Sequence, residues 1–215
     1  FPYTTLFRSE IGTQSPELSF ARATALLFSP NEDQVLVSTP KKSVLFTIGQ
    51  SSPQTVDDPP ALRTNWRNQL LAQRAQTTQA LKVTEELVET ALSPTTLWSP
   101  DERKFLYEKS EGGKREFWVA NFSDPLPLGE KIHRKIWETE NENLRLFWLA
   151  DSRHFVVLEN DTVSLLDMDG SNKRDLFKGK LAEAVALSSS DLSKIIILTS
   201  ISPNSAVNLY ALNLR

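Results

Sequence analysis

Cysteine is absent from the chain, which excludes a disulfide framework and any thiolate metal site. Glycine is scarce, and none of the seven glycines builds the Gly-x-Ser-x-Gly elbow that a serine hydrolase of the α/β type requires. Histidine occurs twice, at His133 and His154, far apart in sequence. No apolar run approaches the roughly 20 residues that span a bilayer. The longest, Ile195 to Leu198, has the length of a buried strand. No secretory signal segment is visible. Basic residues (24) fall short of acidic ones (27), the net charge is −3, and no Lys/Arg cluster stands out. A nucleic-acid partner, which calls for a basic face, is therefore not expected.

What is present is an ordinary globular composition, with 40% hydrophobic and 24% charged residues in 215. The most informative stretch runs from Thr96 to Ser123. Ser99-Pro100-Asp101 and Glu111-Gly112-Gly113-Lys114 are turns, since proline presets a turn φ and Asp accepts backbone donors. Between and after them lie the strand segments Phe105 to Glu108 and Phe117 to Val119. The frame recurs. Phe28, Trp98, Trp148 and Ser188 each precede a small-polar turn, and six residues later stand Gln34, Lys104, His154 and Lys194, each opening an apolar strand. Position 188 follows 148 by 40 residues, 148 follows 98 by 50, and 98 follows 28 by 70. Periods of roughly 40–50 residues with about four short strands are the sequence mark of β-propeller blades. One such sheet cannot bury both faces alone and must stack on neighbours.

The long first interval implies an insertion. Gly49 to Pro60 reads as a linker, with three prolines and no periodicity. Residues 61–92 form a helical insertion, rich in Gln, Leu, Ala, Arg and Glu, with helices expected over about 64–81 and 85–91. Thr84 followed by Glu85 and Glu86 is an N-cap signal. Lys131 to Trp137 and Arg174 to Phe177 are read as outer fourth strands, and Val207 to Leu212 as a third strand. Residues 1–23 are read as an N-terminal tail, of which Phe1 to Ser9 is set aside as non-native, and 24–215 as the propeller segment. The start at Phe1 suggests a fragment. The fold class is mainly β, a partial propeller of about four blades with an α-helical insertion.

The Trp98-Ser-Pro-Asp-Glu-Arg-Lys-Phe-Leu-Tyr and Val163-Ser-Leu-Leu-Asp-Met-Asp-Gly-Ser-Asn-Lys stretches resemble the blade consensus of TolB-like, WD-repeat-like propellers. That consensus has glycine after the Ser-Pro-Asp, where this chain has Glu102, Ser152 and Leu192. The span from about 24 to 215 is similar to the C-terminal propeller region of bacterial PEGA-domain-containing proteins. The insert beginning Asn65-Trp66-Arg67, the Trp148/Asp151-Ser-Arg-His motif and the closing Val207-Asn-Leu-Tyr-Ala-Leu-Asn-Leu-Arg carry that similarity. The PEGA module itself is not in this chain. The resemblance implies an extracytoplasmic, envelope-associated protein, anchored upstream, and supplies no catalytic residues.

Each remaining candidate has a bland reading that outweighs the functional one. His154 holds a strand-opening position and is expected to be a surface histidine. Asp167 to Asn172 faintly resembles a calcium loop but lacks the later acid, so an Asp-Gly turn is expected instead. Asp101, Asp151 and Asp191 recur at equivalent turns, which favours turn capping over a paired-carboxylate glycosidase site. Trp98, Trp118 and Trp148 are expected to pack between blades rather than line a sugar site. The arginines of 63–74 are offset by acids at 85, 86 and 89, and the helix pair is expected to cap the propeller or to dock a partner. No catalytic, cofactor-binding or metal residue is therefore assigned, and no cofactor. The expectation is a non-catalytic scaffold for a protein or an envelope glycan, with a glycoside-acting propeller enzyme, or a domain accessory to one, as the alternative.

Overall fold

A computed structural model describes residues 25–31, 33–48, 50, 52–189, 192–199 and 208–214. The N-terminal tail, Asp191 and the Ser202-Pro203-Asn204-Ser205 turn lie outside the described residues. The chain divides into two compact units, with the division between Gln76 and Thr77.

Four separate antiparallel sheets follow one another in chain order. The first holds β1 (Ala25–Phe28), β2 (Gln34–Ser38), β3 (Ser43–Thr47) and β4 (Gln54–Thr55). The second holds β5 (Leu97–Trp98), β6 (Lys104–Glu111), β7 (Lys114–Asn121) and β8 (His133–Thr139). The third holds β9 (Arg145–Trp148), β10 (His154–Glu159), β11 (Thr162–Asp167) and β12 (Arg174–Lys178). Among the described residues the fourth has β13 (Leu181–Ser188), β14 (Lys194–Thr199) and β15 (Asn208–Asn213). Each strand pairs with its sequence neighbour, so every sheet is a meander. The fold is the mainly β, partial-propeller class with an α-helical insertion.

In the first unit, β3 alternates between buried and half-buried positions while β2 is buried from Val35 to Ser38, and Val35, Val37, Val44 and Phe46 form a small core with Phe28 and Ile48. The expected linker departs from the structure at both ends. Gln54 and Thr55 pair with Leu45 and Val44, giving this sheet the outer strand that their exposed polar side chains concealed. The first helix, α1 (Pro59–Ala80), begins inside the Pro-rich stretch. Pro59 and Pro60 fit there because the first helical N–H groups have no intrahelical partner to lose. Asp58 caps the end by accepting from the Ala61 N–H at 3.0 Å. Arg63 then donates to Ser38 (2.9 Å) and Gln73 to Asn31 (2.7 Å), laying α1 along this sheet.

The second unit shows why β10 reads as a solid apolar run without alternation. Phe155 and Val157 face a core shared with Leu106, Phe117, Val119 and Ile136 of the second sheet. Val156 and Leu158 face the opposite way, into a core with Ala186, Ile195 and Ile197 of the fourth. All four side chains are at most 1% exposed. A strand covered on both faces needs apolar residues at every position, and each such side chain contributes about 1.5–3 kcal/mol on burial.

The second sheet is covered on its other face by helical residues. Phe105, Tyr107 and Ala120 are buried with Val83 and Ala91, and Leu81, Leu87, Val88, Trp98, Trp118 and Phe122 pack around them. Ala91 belongs to the second helix, α2 (Glu85–Leu92). Its small side chain lets the helix approach Phe105, and the Trp98 indole N–H donates to the Ala91 carbonyl at 2.9 Å. The insertion thus caps a sheet face, through its second helix and the segment before it.

Candidate functional site

The residues with the most regular geometry are those of the turn that opens each sheet. The backbone N–H of Ser29, Ser99, Leu149 and Ser189 donates to the carbonyl of Gln34, Lys104, His154 and Lys194, at 2.8–2.9 Å in all four. The returning N–H of the strand-opening residue goes to a side-chain oxygen. It is the Ser Oγ for Gln34 (3.0 Å), Lys104 (3.1 Å) and Lys194 (3.0 Å), and Asp151 Oδ1 for His154 (3.1 Å). One loop geometry is therefore written four times with different side chains.

At three of these turns a residue other than glycine holds the left-handed conformation. Glu102 has φ 54°, Ser152 φ 58° and Leu192 φ 57°. These are the positions where the resemblance calls for glycine, and an L-residue there costs roughly 1–2 kcal/mol. The turn carboxylates offset part of that cost. Asp101 accepts from the Ser99 hydroxyl (2.6 Å), the Arg103 N–H (3.1 Å) and the Lys104 ammonium (2.6 Å). Burial pushes its carboxyl up, but the bonds from Lys104 and Ser99 outweigh burial and hold it below the usual range. Asp151 accepts from the N–H of Arg153 (2.8 Å) and His154 and from His154 Nδ1 (2.6 Å). Both aspartates are turn caps.

The strand-opening position is not uniformly exposed. Lys104 is buried, its chain running back to Asp101. His154 is half-buried between two carboxylates, with Nε2 3.4 Å from Asp167.

His133 was not foreseen as part of a cluster. It stacks on Tyr107 (5.6 Å between centroids, 11° between planes) and lies 4.8 Å from the Trp118 ring. The Tyr107 hydroxyl meets His133 Nε2, and the Lys109 ammonium stands 5.1 Å over Trp118 and 5.7 Å over Tyr107. Burial pushes the Tyr107 phenol up to about 12. Burial, and then the charge of Lys109, hold the His133 imidazole below its ordinary value. At neutral pH the pair is thus a neutral tyrosine and a neutral histidine. The cluster straddles three strands, with Tyr107 opposite Trp118 and Ala120 opposite His133. A register shift between Phe117 and Trp118 sets that alignment, and nothing in the spacing of 107, 118 and 133 announces it.

The tryptophans have separate tasks. Trp148 packs against the core between the second and third sheets and donates to the Leu97 carbonyl at 2.8 Å, so it joins blades as expected. Trp98 and Trp118 face the helical cap instead. The loop at Asp167 to Asn172 is an Asp-Gly turn. Asp169 accepts from the Ser171 N–H and hydroxyl, and its other oxygen lies 3.4 Å from the Arg134 guanidinium of β8. Gly170, with φ 86°, sits so close to β8 that a Cβ would collide with the Ile136 carbonyl. That turn holds two sheets together. Among the described residues no three His, Asp or Glu side chains gather as a metal site, and no helix is long and apolar enough to cross a membrane.

No family model matches the chain, and no curated protein matches it. Among solved structures it is similar to TolB from Acinetobacter baumannii, at 12% identity and a TM-score of 0.44, over 89% of this chain and 41% of that one. A putative TolB from Agrobacterium tumefaciens matches at 11% identity and a TM-score of 0.39, over 89% and 63%. An acylaminoacyl peptidase from Pyrococcus horikoshii matches at 12% identity and a TM-score of 0.39, over 89% and 31%. The chain spans less than two thirds of each of these proteins.

Proposed function

We propose that this chain is a non-catalytic propeller scaffold that presents a binding surface to a protein or an envelope glycan. The observation that carries this reading is what its carboxylates do. Asp101, Glu108, Glu116, Glu138 and Asp169 are each held below the ordinary carboxylate range. Arg115 does this to Glu108 through a two-pronged bond, and Lys135 and Lys114 do it to Glu116 and Glu138. A glycoside-acting site needs one acid kept protonated near neutral pH and facing a second carboxylate. These five carboxylates are drawn the other way, into ion pairs and turn caps that build the sheets.

Placement at the cell envelope, outside the cytoplasm, follows the resemblance carried by the Trp148/Asp151-Ser-Arg-His motif and the closing strand. The function test is a panel of chromogenic glycosides together with binding of envelope glycan fragments by calorimetry. The scaffold reading expects no product release. Turnover that disappears on substituting one carboxylate would establish the enzyme alternative instead.

A further inference from the structure

The first turns of the second and third sheets touch each other, and each carries an arginine at the same place. Arg103 follows the left-handed Glu102, and Arg153 follows the left-handed Ser152. Their main chains are held alike. Each N–H goes to the aspartate of its own turn, at 3.1 and 2.8 Å. Each carbonyl accepts from the end of its sheet's third strand, from the Phe122 N–H at 2.9 Å and the Met168 N–H at 2.8 Å. The turns are joined by the Asp101 N–H donating to Ser152 Oγ at 3.0 Å. The two arginines are therefore fixed at their roots on adjoining loops, and both are exposed.

The charges around them are settled differently. Asp101 is taken by Lys104, and Asp151 by His154. Among the described residues no carboxylate forms an ion pair with either guanidinium. Asp101 and Glu102 are both exposed acids on the Arg103 turn, and of the two Asp101 is committed to Lys104. Turn architecture has used the aspartates internally and left two planar cations facing solvent.

We propose that these adjoining turns form a docking surface for an acidic polypeptide segment, with Arg103 and Arg153 taking its carboxylates. This deepens the scaffold reading and rests on it. Guanidinium suits the task because its fork matches a carboxylate with two parallel hydrogen bonds. A net charge of −3 disfavours long polyanions such as nucleic acid, so a short acidic segment received at a local cationic pair is the fitting ligand.

The test is fluorescence anisotropy with a labelled octapeptide of alternating Glu and Ser, on the full chain. Wild type should bind in a salt-sensitive way. Arg103→Gln with Arg153→Gln should weaken binding about tenfold or more, with single variants between. Arg→Lys at both sites should restore part of the loss, and Glu102→Gln should tighten binding. Lys178→Gln with Lys180→Gln changes net charge equally at the far end of β12 and should leave binding unchanged. The melting temperature of the double arginine variant should match wild type, since both side chains are exposed. Absence of peptide binding by wild type, or equal loss in the Lys178/Lys180 pair, would overturn the proposal. So would tripolyphosphate displacing the peptide more effectively than unlabelled peptide does. None of these outcomes bears on turnover, so the scaffold reading stands or falls separately.

Discussion

The Asp101 N–H donates to the Ser152 hydroxyl at 3.0 Å, and Ser152 is 2% exposed. A backbone donor in one sheet is thus satisfied by a side chain of the next, at equivalent turns of the repeat. Ser152→Ala should leave that donor unsatisfied and lower stability by about 1–3 kcal/mol. Chemical denaturation measures it, and an unchanged midpoint would show the bond contributes nothing.

Glu102→Gly is the complementary case. The Glu102 side chain is exposed and its φ is 54°, so glycine removes left-handed strain without removing a contact. The expected gain is about 0.5–1 kcal/mol, less than the full strain because glycine also frees the unfolded chain. The same change at Leu192 should gain less or lose, since Leu192 packs beside Ile195 and Ile197.

Gly170→Ala should destabilise by about 2–4 kcal/mol, combining left-handed strain with a collision against the Ile136 carbonyl. Thermal unfolding measures it, and a near-neutral result would mean the third sheet's turn does not press on β8.

The His133 imidazole is held below its ordinary 6.5 in the fold. The unfolded chain then binds more protons as pH falls below that value, so stability falls with it. Glu138, held down at about 2 by Lys114 and then Lys135, adds a second loss that begins below its ordinary 4.5. Melting temperature against pH should show two declines. His133→Gln, which keeps an acceptor for Tyr107 but does not titrate, should abolish the upper one and leave the lower. A single decline in wild type would contradict the assignment.

Much of this architecture was legible because turns and apolar runs coincide. Gln34–Ser38, His154–Glu159 and Lys194–Thr199 fall where the aligned repeats place them. What escaped was local structure without an apolar signature. Gln54 and Thr55 form a strand through backbone bonds alone, and Pro59-Pro60 starts a helix because its missing donors are those a helix start can spare. Lys104 opens a strand as His154 does, yet it is buried with its charge returned to Asp101. The Tyr107–His133 pair depends on strand register at an irregularity, which one sequence does not encode visibly. The two arginines stand in the repeats as Asp-Glu-Arg-Lys and Asp-Ser-Arg-His, but the bond that joins their turns, from the Asp101 N–H to Ser152 Oγ, crosses sheets and leaves no mark in the sequence.

Native-state hydrogen exchange of β10 tests the stacking of these sheets most directly. With Phe155 and Val157 buried against one neighbour and Val156 and Leu158 against the other, the amides of residues 155–158 should exchange only through global unfolding. Their opening free energy should equal that from denaturation, while the amides of the outer strand β12 open at lower cost. Exchange of residues 155–158 as fast as that of β12 would contradict the account.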